Sequence, residues 1–556
     1  MRNFKIIGLI FATVSFAACD SAYDPDGPAI DPNAPKVHIT SPERGTFAGD
    51  VTSIEVRGTA IDDSAITSVT VNGVEAAVDA STGAFKVTIP VAAGTNLLHA
   101  IAKDAQGNTG KETRAVVAGR LSSIDRTVPS AITASMSAAT FDALGRGAGG
   151  FIETANLGTL VAPMNPVLDL GTTNGAPDCL YAQARITGMD VGNADIKLAP
   201  QTGGLYLDAT LDNVRVDLKL QWAVSCLDGS RNVTVSASRL RVRGLLAVGI
   251  TLGNFDIALK NQQVTITGFD VDLGGVPGTI IDMLSLDTRM GPILAFATER
   301  FLVPMLNRSL SGLGETKTVD ALGKKIDVTV APHKISFDAV GAIVELDTEL
   351  RAQGDSASPG FVYVANQVPA MDKSRGFQLA VADDAVNQLL GSLWAAKGLD
   401  ASIDLTTGSY GEVGKLYDRV EISAKVPPFI DASGDKLVMT LGDLIATFKN
   451  GEQVATQVAI NAQLALVVTA NPDGSLRVDV GTPTVYVDIL DENIDGANAL
   501  SNAQFELIAS FALSRVVAAG SGAAGAIPLP SAGGVAVQDV AINQQTGYLV
   551  VDGEVQ

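Results

Sequence analysis

Long stretches of strict alternation between apolar and polar residues constrain this chain more than any other feature. In VRVDLKLQW, Val214, Val216, Leu218, Leu220 and Trp222 share one side while Arg215, Asp217, Lys219 and Gln221 share the other. Successive strand residues point to opposite faces, so this is an antiparallel strand with one buried face. VTVSASRLRVRG, NFDIALK and QVTITGFDVDL extend the pattern, and long strands recur over about 417–490. Sheets of this kind need covers for their apolar faces.

Helical patterns supply them. In TVPSAITASMSAATFDALG, Pro129 stands at a first helical position, and Ile132, Met136, Ala139 and Ala143 follow at helical spacing before GRGAGG, which is expected to break the helix. A second helical region covers about 276–311 and must kink at Pro292 and Pro304. LAVADDAVNQLLGSLWAAKGLD starts a helix near Asp383 or Asp384, with Val386, Leu389, Leu390, Leu393 and Trp394 on one apolar face and Gly398 beyond its end. A last helix begins near Ser501, where Gln504 completes a capping box, and runs through FELIASFALSRVV. Prolines then stop it, and an extended ribbon closes the chain. Helix, strands, helix, strands occurs twice, an internal duplication of architecture.

The 556 residues are 46% apolar and only 18% charged, with 56 Gly. That length calls for several cores, and the apolar surplus must be buried or must line something. The net charge of −21 excludes a nucleic-acid partner, which needs a basic footprint. At the N-terminus Arg2 and Lys5 precede the short apolar run IIGLIFATVSFAA, a targeting signal. It ends in FAACD, which resembles a bacterial lipoprotein lipobox with Phe16 where Leu is commoner. Cys19 is then the acylated first residue of the mature chain; the alternative is an ordinary secretory signal with an incidental cysteine. Residues 20–36 have the Pro, Asp and Gly bias of a tether. The expected location is the cell envelope, by an N-terminal acyl anchor.

Residues 37–119 carry short alternating strands with turn signals about every ten residues, a β-sandwich pattern. The stretch resembles bacterial Ig-like modules that stand between an anchor and a working domain, so it reads as a spacer, with adhesion as the other reading. Of the three cysteines, Cys179 and Cys226 remain after Cys19. An exported chain with two such residues is expected to join them in one disulfide. The closed loop is worth about 4 kcal/mol in the chain-entropy picture.

Three stretches together resemble the bactericidal/permeability-increasing and lipopolysaccharide-binding protein family of the tubular lipid-binding (TULIP) superfamily. They are the ending AIPLPSAGGVAVQDVAINQQTGYLVVDGEV, the mid-chain KKIDVTVAPHKISFDAVGAIVELDTELRA at 324–352, and FQLAVADDAVNQLL. The resemblance covers about 120–556. It implies an α+β fold: two pseudo-symmetric barrels, each a twisted antiparallel sheet around long helices, joined by a central sheet. The expected division is a signal peptide at 1–18, a linker at 19–36 and the Ig-like sandwich at 37–119. A first barrel at 120–323, a connecting sheet at 324–375 and a second barrel at 376–556 follow. The family holds acyl chains in apolar clefts between helix and sheet, which implies phospholipid-like partners. The side chains then expected to line such clefts are Ile132, Met136, Leu389, Leu393, Trp394, Ile508, Phe511 and Val517. A closing helix apolar nearly all round fits a cleft on one side, and equally a fully protein-packed core. Two departures stand out. The family's disulfide is placed differently, and its endotoxin binders have a cationic tip where this chain is acidic.

Signatures of catalysis are missing: no G-x-S-x-G, H-E-x-x-H or P-loop sequence occurs, and His38, His99 and His333 lie in separate segments. No cofactor, catalytic residue or metal site is therefore expected. Arg239, Arg241 and Arg243 alternate on one strand face, as headgroup ligands or as a solvated outer face. DENIDG (Asp491, Asn493, Asp495, Gly496) opens like a calcium loop but has Asn502 at position twelve, where the loop requires Glu. The sequence thus describes an envelope-anchored lipid-binding or lipid-transfer protein. Its competitor is a scaffold or adhesion protein with solidly packed barrels. Neither the lipid nor the oligomeric state is set by the sequence.

Overall fold

The computed structural model describes residues 33–162, 165–171, 180–284, 315–321, 323–407, 413–434, 436–470, 476–493, 499–523 and 537–555. Cys19, Cys179, Pro292, Pro304, Asp495 and Gly496 lie outside them, as do the side chains of Phe511 and Val517. Strand far outweighs helix among the described residues. The architecture is therefore mostly β and not the expected α+β, because each long helix serves as the cover of a much larger sheet.

The N-terminal sandwich packs a four-stranded sheet on a five-stranded one. Ile39, Val56, Val69, Phe85, Ile89, Leu98 and Val116 fill the space between them. Beyond it, two sheets share one strand order. In the first, Leu168–Gly171, Tyr181–Asp190, Gly204–Val224, Leu227–Thr251 and Asn254–Thr267 lie side by side. Asn193–Gln201 adds to the third of these and Asp270–Val271 to the fourth. In the second, Ala401–Asp404, Arg419–Ala424, Leu437–Asn450, Gln453–Ala470 and Leu476–Val480 repeat that order. Phe429–Asp431 and Thr484–Glu492 are added at the corresponding places.

A seven-stranded antiparallel sheet joins the halves. Its order is Lys317–Ala321, Lys324–Phe337, Gly341–Ala352, Val128–Ser137, Phe377–Ala382, Tyr548–Val555, Val537–Gln545. It therefore draws on four separated parts of the chain and is not confined to 324–375. Each half leaves it through a leading helix, Ala138–Thr154 or Asp383–Ala395, and returns to it as a hairpin. The closing ribbon of the chain is the second of these hairpins.

Two sequence expectations change here and one holds. Residues 128–137 are a central strand, not the start of a helix. Ile132 and Met136 are four apart, a spacing that satisfies both periods, and two neighbouring strands with open hydrogen-bonding edges decide for the strand. The helix starts at Ala138, where the Ser137 side chain accepts from Thr140 N. GRGAGG does not end it: a Cβ on Gly145 or Gly149 would meet the Ile196 or Ala194 carbonyl oxygen at 2.5 or 2.3 Å. These glycines let the helix lie directly on a strand. The capping box forms as expected, with Gln504 Oε1 accepting from Ser501 N at 2.8 Å and Ser501 Oγ accepting from Gln504 N at 3.3 Å.

Candidate functional site

The two faces of the central sheet differ. On one, Ala131, Thr133, Ser135, Gln378, Ala380 and Val550 are buried, packed in part beneath the second leading helix. The other face is apolar and incompletely covered. Register places Ile132 between Leu346 and Val381, Ala134 between Val344 and Leu379, and Met136 between Ala342 and Phe377. Leu549 continues the first row beside Val381, and Val551 the second beside Leu379. Ile132, Ala134, Met136, Val344, Leu346, Leu379, Val381 and Leu549 are all only half-buried, although they sit on inner strands of a seven-stranded sheet. At the Met136 end, Phe141 of the first leading helix packs on Phe337 with centroids 6.2 Å apart.

Among the described residues, no ionisable side chain interrupts that face. The carboxylates of these strands lie on the reverse side and are engaged there. Glu345 accepts from Ser130 Oγ at 2.8 Å and pairs with Lys334 at 3.0 Å, and Asp347 accepts from Ser130 N at 2.8 Å. An apolar surface bounded in this way suits an apolar ligand.

The sequence-expected lining residues separate into three groups. Ile132 and Met136 reach the open face, though from a strand. Leu393 does not: it is 1% exposed, in a cluster with Ile326, Ala352 and Ala396 that Leu389 joins. Trp394 donates from Nε1 to the Ala424 carbonyl at 2.8 Å and meets Phe47 of the N-terminal sandwich at 5.9 Å. The apolar face of this helix is thus divided among the central sheet, the sandwich and the second half, where Val386 and Leu390 pack. Ile508 packs in the second-half core beside Phe505, while Phe511 and Val517 lie on the closing helix, their side chains outside the described residues. Cys226 occupies the turn after Gly204–Val224 at φ 65.

The remaining motifs resolve to structure. Arg239 pairs with Asp212 and Arg241 with Asp208 across the strand pair, at 2.7 and 2.6 Å, so these two arginines of the row are engaged on an outer face. Asn502 Oδ1 accepts from Ile489 N at 3.3 Å, occupying the group that the calcium reading required free. His99 stacks on Tyr486 with centroids 4.4 Å apart and shares a hydrogen bond with Thr113 at 2.7 Å. Burial, with Lys111 nearby, lowers its pKa.

Sequence reasoning missed the polar side of the second leading helix. Asp383 and Asp384 accept from Ala432 N and Val364 N, each at 3.0 Å. Asn387 both donates to and accepts from the Ile430 backbone at 2.8 Å. Gln388 accepts from Leu350 N, and Ser392 Oγ donates to Asp355. These polar residues recur at helical spacing, a pattern that reads as a solvated face until the neighbours are known. Also missed was Arg44, which binds Asp443, Glu112 and Asp488 at 2.6, 3.0 and 3.1 Å. It ties the sandwich to the second half, so that module is docked and does not act as a free spacer.

Comparison with known proteins bears mainly on the sandwich. A family model described as glucodextranase, domain B, matches residues 35–119. No curated protein matches the chain. Among solved structures, a lipopolysaccharide binding protein is similar at 13% identity and TM-score 0.34, over 77% of this chain and 98% of its own. P47 of Clostridium botulinum E1 is similar at 9% identity and TM-score 0.22, over 78% and 100%. Fibronectin(III)-like modules of Clostridium thermocellum CbhA are similar at 11% and 0.14, over 35% and 92%. Likeness at these scores carries no functional argument.

Proposed function

We propose that the protein is a membrane-tethered lipid-binding and lipid-transfer protein that holds acyl chains along the apolar face of its central sheet. The observation that carries the proposal is the asymmetry of that sheet. One face is sealed by protein, whereas the other, wholly apolar around Ala134, is left partly open. An apolar surface left partly open to solvent favours a ligand of the same character. The reading agrees with what the sequence resemblance implies, and the repeated strand order fits two tubular barrels related by duplication. Cys19 anchors the chain to the cell envelope through its acyl groups. A single disulfide between Cys179 and Cys226 belongs to the same reading of an exported chain. Binding, not catalysis, is the assigned role, and the lipid is phospholipid-like.

Lipid extraction and native mass spectrometry of the purified protein test this. Ala134→Trp fills the middle of the open face and should cut co-purifying lipid while moving Tm little. Leu393→Trp, in a closed core, should instead destabilise by about 1–3 kcal/mol and leave lipid content unchanged. A parent protein without lipid, together with early melting of Ala134→Trp, would refute the carrier and favour a solidly packed scaffold.

A further inference from the structure

Leu252 is 96% exposed, at the tip of the hairpin formed by Leu227–Thr251 and Asn254–Thr267. Thr251 pairs with Asn254, so Leu252 and Gly253 are the whole turn, at φ 53 and 73. Such a turn needs two residues in the left-handed region, where Asn followed by Gly is the favoured pair. The chain uses that solution elsewhere: Asn72 and Gly73 make the same turn at φ 50 and 81. At 252 it has instead a large apolar side chain that its backbone disfavours and that touches almost no protein.

An apolar stripe leads to this tip from inside the first half. Leu246 pairs with Leu259, Val248 with Ile257 and Ile250 with Phe255. Leu246, Ile257 and Leu259 are buried, Val248 packs against the same core, and Ile250 and Phe255 are half-buried. Across residues 244–259 the single ionisable residue is Asp256, in a chain of net charge −21. The first leading helix leaves the central sheet at Ser137 and meets Ile196 before Ala194. The Gln201–Gly204 end of the first sheet, where Gly204 pairs with Ala247, is therefore the end nearer the central sheet. Strands Gly204–Val224, Leu227–Thr251 and Asn254–Thr267 all touch Lys324–Phe337 of that sheet. Leu227, also exposed, sits at the opposite end of its strand with Asp228 and Arg231 close behind it, and so lacks an uncharged surround.

We infer that the Leu252 hairpin is the point at which this protein enters a phospholipid bilayer, with Ile250 and Phe255 following the tip into the interface. The inference rests on the lipid-carrier reading for its purpose: the strands that carry the tip also touch Lys324–Phe337 of the central sheet, whose open face would receive an acyl chain. Its occupant is a zwitterionic membrane, since the tip has no cation to attract anionic headgroups and Asp256 would repel them.

The test uses the full mature chain with Cys19→Ser, so that no acyl anchor contributes, and phosphatidylcholine vesicles. A solvent-sensitive fluorophore at Leu252→Cys should shift to the blue on adding vesicles and be quenched by brominated acyl chains. The same label at Val74→Cys, beside the Asn72 turn, should do neither. Leu252→Asn restores the favoured turn, so it should raise Tm while lowering vesicle partitioning about tenfold or more. A silent label at 252, or unchanged partitioning by Leu252→Asn, overturns the inference even if lipid still co-purifies. A blue shift that depends on protein concentration without vesicles also overturns it, by assigning the tip to self-association. Insertion at 252 in a protein that holds no lipid upholds the tip and refutes the carrier.

Discussion

Asp383 and Asp384 stand together in the first turn of a helix, a place that suits carboxylates in water. Here burial dominates their behaviour. It pushes Asp383 up to about 6 and Asp384 up to about 7, against the backbone N–H groups of Ala432 and Val364 that favour the charged forms. Both start from 3.8. Between that value and the raised one, the folded protein keeps protons that the unfolded chain releases. Stability therefore falls as pH rises through this window, and the penalty vanishes below it. Asp384→Asn retains an oxygen to accept from Val364 N and removes the charge. It should raise stability at pH 8 by on the order of 2 kcal/mol, with the advantage closing near pH 4, as followed by thermal melts across pH.

For single elements, contact with the neighbouring surface outweighs local preference. Gly149 and Gly150 are adjacent in the first leading helix, and propensity alone favours alanine at both by about 1 kcal/mol. A Cβ at Gly149 would lie 2.3 Å from the Ala194 carbonyl oxygen, while at Gly150 it would meet nothing within 4 Å. Gly149→Ala should accordingly destabilise, by about 1–3 kcal/mol, and Gly150→Ala should stabilise by about 0.5–1 kcal/mol. Denaturant titration of the two variants tests whether this helix lies on the Asn193–Gln201 strand. The second leading helix shows the same priority. Its apolar residues divide among three neighbours, and its polar ones bond to buried backbone.

At the scale of the molecule, the sandwich is held to the second half by a buried ion cluster. Burial alone would lower the pKa of Arg44, but Asp443, Asp488 and Glu112 reverse this and hold its guanidinium charged. Asp488 is pushed up to about 6 by burial, opposed by Arg44. Asp443 and Asp488 also accept from Ala115 N and Thr113 N at 3.0 Å, so the cluster grips the backbone of the sandwich. Arg44→Met would leave three carboxylates facing one another without their shared cation. The expected loss is about 3–5 kcal/mol, read as early melting and proteolytic release of residues 33–118, milder at pH 5 than at pH 8. If instead the sandwich stays resistant, its attachment rests on the apolar contacts among Leu97, Val117, Val362 and Val426.

Periodicity, punctuation and capping were legible in the sequence because they depend on neighbours along the chain. Trp222 and its alternating partners, the Ser501–Gln504 box and the module at 37–119 needed nothing else. The two-fold recurrence of helix and strands was equally visible, although only strand pairing shows that both sheets have one order. What the tertiary structure alone decided is how each face is covered. Ile132 and Met136 read as helical in the sequence but lie on a strand, since a spacing of four fits either period and only the adjoining strands choose. Leu393 and Trp394 formed an apolar stripe of the right kind, yet protein fills the space beside Leu393 and Phe47 of the sandwich meets Trp394. Arg44 and Asp443 are almost four hundred residues apart in the chain. Their pairing follows from the docking of two units, which no local pattern encodes.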